Sequence, residues 1–121
     1  MKEASLREAL VSMADMPGVE GCALVEVDTG MVWHAAGQSE KMQLLSEAAS
    51  DYWRLYKRLN GHFSELGEMR ASVFMHVLSR ITLMPCGKDM LLVGLTREQT
   101  PVNWSEWQSR TQQLANLVNL L

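Results

Sequence analysis

The stretch MPGVEGCALVEVDTGMVWHAAG, which runs from Met16 to Gly37, decides the fold of this chain. Its Pro17-Gly18 pair ends any helix that precedes it, because proline lacks the backbone N–H and glycine favours turns. Two apolar runs follow, and the turn residues Asp28 to Gly30 separate them. This pattern predicts two strands in a tight antiparallel pair.

The first of these strands is apolar on both of its alternating sides. Successive side chains of a strand point to opposite faces of the sheet. One face receives Gly21, Ala23, Val25 and Val27, and the other receives Cys22, Leu24 and Glu26. A strand that is apolar on both faces belongs in the middle of a sheet that is covered above and below. The stretch therefore predicts helices on both faces of the sheet.

Three other segments show apolar residues at helical spacing, at 3–15, 41–59 and 104–120. Asn103 is placed to cap the last of them. In the central segment the apolar side chains fill an arc of roughly 180°, whereas a helix that lies on one sheet needs a stripe of about 100°. The central helix therefore either lies in a deep groove or contacts a second surface, such as another subunit.

The rest of the chain predicts three more strands, at 70–77, 80–85 and 90–96, after a loop at 60–68. The strand at 70–77 has the most mixed pattern, which suits an edge or an interface. The predicted order is α-β-β-α-β-β-β-α. We expect an α+β fold in a single domain, 1–121, with three layers (α/β/α) around a five-stranded antiparallel sheet of the profilin-like kind.

The composition argues against several classes of protein. The 121 residues carry a net charge of -3, which offers no basic surface for nucleic acid or an anionic membrane. No apolar run approaches the ~20 residues of a membrane span, and the N-terminal segment lacks the apolar region of a signal peptide. Cys22 and Cys86 lie in or beside apolar runs, which favours buried free thiols in a reducing compartment. We expect a soluble, cytoplasmic protein.

The sequence contains no motif that points to catalysis. It has no nucleophile elbow, no phosphate-binding loop and no zinc-protease motif. His34, His62 and His76 are far apart and lack the spacing of metal ligands. We therefore expect no catalytic residue, no metal and no cofactor, and a protein that is not an enzyme.

Two phrases resemble the roadblock/LC7 family, which includes dynein light chain roadblock, late-endosomal adaptor subunits and bacterial gliding-motility regulators. They are MPGVEGCALVEVDTG, from Met16 to Gly30, and LGEMRASVFMHVLSRITLMPCGKDMLLVGLT, from Leu66 to Thr96. The first is similar to the family's Pro-Gly-Val-x-Gly opening and hairpin turn, and the second to its three-strand meander. The resemblance covers about residues 5–120. The WSEWQ segment at 104–108 and the nine methionines depart from the family's pattern.

The resemblance implies a dimer, which we expect to be a homodimer. In the family the long central helices pack against each other, and the third strands pair edge to edge. Carried over to this chain, the interface consists of Met42, Leu45, Ala49, Tyr52, Trp53 and Tyr56 of the helix with Arg70, Ser72, Phe74 and His76 of the strand. The wide apolar arc supports this independently. For Trp53 and Tyr56, burial in the subunit's own core is an equal alternative.

The resemblance also implies a partner. Family members bind small Ras-like GTPases or scaffold motor and signalling complexes, and some bacterial members stimulate GTP hydrolysis. The implied function is a non-catalytic dimeric adaptor or regulator that binds a small GTPase or scaffold protein, with modulation of the nucleotide cycle as a further expectation. One alternative is a small-molecule-sensing or generic protein-interaction domain of profilin-like fold, against which the many space-filling Leu, Met and Trp residues count. A weaker alternative is an enzyme with a site too diffuse to recognise.

Overall fold

The structure, a computed structural model, describes residues 2–38 and 40–121, without the side chain of Lys2. The predicted span 1–121 also includes Met1 and Ser39, which lie outside the described residues. The elements are α1 (Lys2–Ala14), β1 (Val19–Glu26), β2 (Val32–Gly37), α2 (Met42–Phe63), β3 (Ser72–Met75), β4 (Ser79–Pro85), β5 (Met90–Arg97) and α3 (Trp104–Val118), with a short 3₁₀ turn at Ser64–Leu66. The order α-β-β-α-β-β-β-α is the predicted one.

The five strands form one antiparallel sheet in the order β2-β1-β5-β4-β3. The two-strand meander and the three-strand meander join where β1 pairs with β5, with Cys22 opposite Gly94 and Leu24 opposite Leu92. β1 and β5 are therefore central strands, and β2 and β3 are the edges. This confirms that the first strand of the opening stretch lies in the middle of the sheet.

Two separate cores lie on the two faces of the sheet. Cys22 and Leu24 face α1 and α3 and pack with Leu10 and Trp107. On the other face the next strand positions pack beneath α2, and the members of this core include Ala23, Val25, Leu91, Val93 and Trp53. The alternation of apolar side chains along β1 thus supplies both cores, as the sequence predicts.

The predicted loop at 60–68 is wrong in its first half. α2 continues through Asn60 and Gly61 to Phe63, and the 3₁₀ turn follows it directly. A helical glycine costs only about 1 kcal/mol relative to alanine, which the rest of a 22-residue helix offsets. Tyr56 also supports the extension, because its hydroxyl donates a hydrogen bond to the Asn60 side chain at 3.2 Å.

The third strand is shorter than predicted. β3 covers only Ser72–Met75, so Arg70 lies before the strand and His76 lies after it, at the turn into β4. Helix α3 begins as predicted, because the Asn103 side chain accepts a hydrogen bond from the Glu106 N–H at 3.1 Å. Among the described residues, no helix combines the length and apolar content that crossing a membrane requires.

Candidate interaction surface

The inner side of α2 packs on the sheet. Met42, Ala49 and Trp53 are buried there, and Trp53 is only 7% exposed. Two cations on the flank attach the helix to the β1–β2 turn: the Arg54 guanidinium donates to the Val27 carbonyl at 2.8 Å, and Lys57 pairs with Asp28 at 3.3 Å. These contacts fix the rotation of α2 about its own axis.

The side of α2 toward β3 carries large apolar side chains that the subunit covers only in part. Their positions follow helical spacing, so they form one continuous stripe, which we call the apolar ridge: Tyr52, Leu55, Leu59 and Phe63. The four side chains are 44%, 43%, 39% and 46% exposed. The apolar arc predicted from the sequence is therefore split between a buried half and this ridge.

The ridge lies beside β3. The Tyr52 ring stacks on the Phe74 ring with centroids 4.0 Å apart and planes inclined by 17°. The Tyr56 hydroxyl accepts a hydrogen bond from the Met69 N–H at 3.2 Å, which ties the segment before β3 to the helix. Between the end of α2, the 3₁₀ turn and β3 is a cavity of about 440 Å³, whose walls include Leu59, Phe63, Leu66, Met69 and Phe74. We call it the ridge cavity.

The free edge of β3 presents unpaired backbone groups next to the ridge. In an antiparallel ladder, hydrogen-bonded and non-hydrogen-bonded residue pairs alternate. The His76 N–H donates to the Ser79 carbonyl at 2.9 Å, and Phe74 opposite Ile81 continues the same alternation. The backbone groups of Val73 and Met75 therefore point away from β4, where another strand could pair with them.

The ten residues predicted for the interface fall into three groups. Tyr52, Tyr56 and Phe74 are brought together on this surface, and Leu45 and Ser72 are half-buried near it. Three others lie in the core beneath α2: Met42, Ala49 and Trp53. Arg70 and His76 are exposed at the two ends of β3.

Several exposed side chains of this surface are absent from the predicted interface. Leu55 and Leu59 stood in the helical pattern without being assigned to the interface, and Phe63 and Leu66 fell in the predicted loop. Their spacing carried the missing signal, because Phe63 follows Leu59 by four residues and Leu66 follows three residues later. Extending the helical period past Gly61 would have found them.

Away from this surface, burial raises the pKa of the Cys22 and Cys86 thiols from 9.0 to about 12. No group of three or more His, Cys, Asp or Glu side chains in the described part of the chain is arranged to hold a metal ion. The ridge can contact a partner through apolar side chains, and the β3 edge can do so through backbone hydrogen bonds.

Solved structures share this architecture. Gliding protein MglB from Thermus thermophilus superimposes with a TM-score of 0.82 at 16% identity, over 99% of this chain and 93% of that one. A roadblock/LC7 domain from Streptomyces avermitilis gives 0.68 at 19% identity, over 94% and 89%. This chain has the roadblock/LC7 fold. An MglB with a tetrameric arrangement shares the fold too, at 0.79 and 17% identity, over 96% and 89%. No protein-family model and no curated protein sequence matches the chain.

The roadblock/LC7 fold accounts for the order of the elements and for the three layers. At these identities it says nothing about individual side chains, so the ridge and the β3 edge stand on the geometry of this chain alone. Both are features of one face of the fold, on the side that α2 covers.

Proposed function

We propose that this protein is a non-catalytic, homodimeric adaptor or regulator that binds a small Ras-like GTPase. The observation that carries the dimer is the apolar ridge of α2, left exposed directly beside the free edge of β3. Exposed apolar side chains in a continuous stripe mark interaction sites, and an unpaired strand edge invites pairing. A two-fold axis at β3 would satisfy both features with one contact.

The predicted interface fits this arrangement once it is shifted toward the end of α2. Two-fold interfaces use the same surface on both copies. The two β3 edges would pair antiparallel into a continuous ten-stranded sheet, and the two ridges would pack across the axis. In this proposal Tyr52, Tyr56 and Phe74 lie at the contact, with Leu55, Leu59 and Phe63 added, while Met42, Ala49 and Trp53 support the helix from beneath.

The GTPase part of the proposal is supported by the family resemblance and by the structural likeness to gliding protein MglB. The ridge consists of aromatic and aliphatic side chains, which suits a binding role. Any effect on GTP hydrolysis would then come from holding the GTPase's own switch loops in place. A cytoplasmic location is part of the proposal, since both cysteines are free thiols.

The dimer is tested by molar mass in solution. We expect light scattering to give twice the 13.6 kDa chain mass at micromolar concentration. The double variant Leu55→Ser/Leu59→Ser should be a folded monomer, because it makes the ridge polar without touching the core. The control Val11→Ser removes a similarly exposed apolar side chain from α1 and should stay dimeric. A wild-type monomer across this concentration range would remove the dimer from the proposal.

The partner is tested with the wild-type protein and a small GTPase recovered from the native cell. We expect binding that differs between the GTP-loaded and GDP-loaded forms, together with a change in the hydrolysis rate or nucleotide exchange rate. Equal binding to both forms with no change in either rate would leave an adaptor without regulatory action. Recovery of no GTPase, with the wild-type dimer intact, would overturn the partner assignment and leave the dimer standing.

A further inference from the structure

Two aliphatic residues form the tip of the β3–β4 hairpin. Val77 is 89% exposed and Leu78 is 81% exposed, more than any residue of the ridge. Two-residue hairpin turns favour Gly, Asn and Asp, which accept positive φ angles. Asp89 is the one non-glycine residue with positive φ in the described part of the chain, so the turn does not use such a conformation. The chemistry of the turn therefore does not require an apolar pair at this point.

The tip is held in place by backbone hydrogen bonds. The His76 N–H donates to the Ser79 carbonyl at 2.9 Å, and the Leu78 carbonyl accepts from the Glu98 N–H at 3.2 Å. Two large aliphatic side chains on a fixed turn form a preorganised projection. Ordering them on binding costs less than ordering a flexible loop.

We propose that this tip, Val77–Leu78, packs into the ridge cavity of a second copy of the chain, and that the contact occurs twice in the dimer. The inference rests on the dimer of the proposed function and adds where the hairpin of each protomer goes. It follows from the β3 register in which the two-fold axis lies at Val73.

Pairing of two β3 edges uses the outward-pointing backbone groups of Val73 and Met75. In such a symmetric antiparallel pair, the sequence numbers of any two facing residues have the same sum. This sum is even, because the outward-pointing residues, which have odd numbers, must face each other. Centring the axis on Val73 or on Phe74 keeps most of the strand Ser72–Met75 paired. The axis at Val73 sets residue 77 opposite residue 69, and the axis at Phe74 sets it opposite residue 71. The axis at Val73 thus sets the tip of one protomer beside residues 68–69 of the other, which line its ridge cavity, whereas the axis at Phe74 sets it beside residues 70–71, which do not.

Residues 67–69 are a wall of the ridge cavity. The segment includes Met69, which the Tyr56 hydroxyl anchors, and the opposite walls are Leu59, Phe63 and Leu66. Leu66 is itself 83% exposed. A cavity of about 440 Å³ with this apolar lining has room for a valine–leucine pair and suits its polarity. The proposed contact would bury the three most exposed apolar side chains of this side of the molecule.

The tip of a protomer cannot reach the ridge cavity of that same protomer, because the two lie at opposite ends of β3. The four residues of β3 span roughly 13 Å, and the tip and Met69 lie beyond opposite ends of the strand. Antiparallel pairing reverses the second strand, which brings the tip of one copy to the cavity end of the other. The second copy is therefore the occupant that the geometry selects.

Cysteine cross-linking tests this placement directly. The two native thiols should not react with the cross-linker, because both are buried. We expect the double variant Leu78→Cys/Leu66→Cys to form a covalent dimer with a short thiol–thiol cross-linker. Leu78→Cys alone should not, because the register puts the two copies of residue 78 roughly 26–33 Å apart. Leu78→Cys/Val11→Cys should not either, since Val11 lies on α1.

A second measurement separates this inference from the dimer itself. We expect Leu78→Ser to raise the dimer dissociation constant at least fivefold while the circular dichroism of the folded chain is unchanged. If the Leu55→Ser/Leu59→Ser variant is monomeric but Leu78→Ser leaves the dissociation constant unchanged and the 66/78 pair fails to cross-link, the tip placement is wrong and the dimer stands. Preferential cross-linking of the 11/78 pair would also overturn it. A wild-type protein that is monomeric throughout would overturn both proposals.

Discussion

The thiols of Cys22 and Cys86 are buried in the apolar core beneath α1 and α3. Burial raises the pKa of each thiol to about 12, and for Cys22 the charge of Cys86 adds to the effect of burial. The Cys22 thiol donates to the Leu10 carbonyl at 3.3 Å. Both groups thus hold their protons far more tightly in the folded protein than in the unfolded chain.

This difference predicts a pH dependence of stability. Below pH 9 the thiols are protonated in both states, so their contribution is constant. Between pH 9 and about 12 the unfolded chain loses thiol protons and the folded protein keeps them. The free energy of unfolding should therefore fall as pH rises, by about 1 kcal/mol per pH unit for each thiol. Urea unfolding at several pH values from 8.5 to 10.5 measures this slope.

The control for that slope is the double variant Cys22→Ala/Cys86→Ala. It should show a shallower decline over the same pH range, although its stability at pH 7 is lower because the core loses volume. Equal slopes in the two proteins would show that the thiols do not cause the decline.

The surroundings of two glycines predict opposite effects of a glycine-to-alanine substitution on the stability of the protein. A Cβ atom at Gly94 would lie 2.7 Å from the Trp107 ring and 2.8 Å from Thr82 Oγ1, so Gly94→Ala should destabilise the protein by about 1–3 kcal/mol. A Cβ at Gly61, within α2, meets nothing within 4 Å. Gly61→Ala should therefore stabilise the helix by about 0.5–1 kcal/mol. Denaturant unfolding of both variants checks the signs; a loss of stability at Gly61 would contradict the helical assignment there.

Among the secondary-structure elements, α3 begins at the N-cap that its sequence predicts. Asn103 accepts the Glu106 N–H, which is otherwise one of the unpaired donors at a helix start. Asn103→Ala should lower the free energy of unfolding by about 1 kcal/mol. Gln113→Ala, an amide lost from the exposed side of the same helix, should change it by less than about 0.5 kcal/mol. Similar losses for both variants would mean that the cap is not what stabilises this end.

The sequence predicted most elements because their signals are local and consistent. The double-sided apolar pattern of β1, the Pro17-Gly18 stop and the Asn103 cap each determine structure within a few residues. The end of α2 was missed because Asn60 and Gly61 are turn residues by composition. Their helical conformation continues the preceding turns of α2, and the Tyr56 hydroxyl supports it by its hydrogen bond to the Asn60 side chain. Propensity is a weak prior that such contacts override.

The candidate surface was only partly predictable for a geometric reason. A wide apolar arc indicates surplus apolar surface but cannot say which members face the sheet. The structure resolves this by placing Trp53 in the core and Tyr52 on the ridge, one residue apart. The exposed pair Val77 and Leu78 gave no signal at all, because an apolar pair between two apolar strands reads as part of a strand.

At the scale of the whole molecule, the proposed dimer makes stability depend on protein concentration. If two copies shield each other's ridge, heating must separate them as well as unfold them, and mass action then favours the dimer at high concentration. A hundredfold increase in concentration supplies about 2.7 kcal/mol per dimer, which corresponds to a rise in Tm of roughly 5 °C. Calorimetry of the wild-type protein from about 1 to 100 µM should show that rise. The Leu55→Ser/Leu59→Ser variant should unfold at one temperature throughout, and at a lower one than the wild type at 100 µM. A wild-type Tm that does not move with concentration would mean that each ridge stays exposed to water in solution.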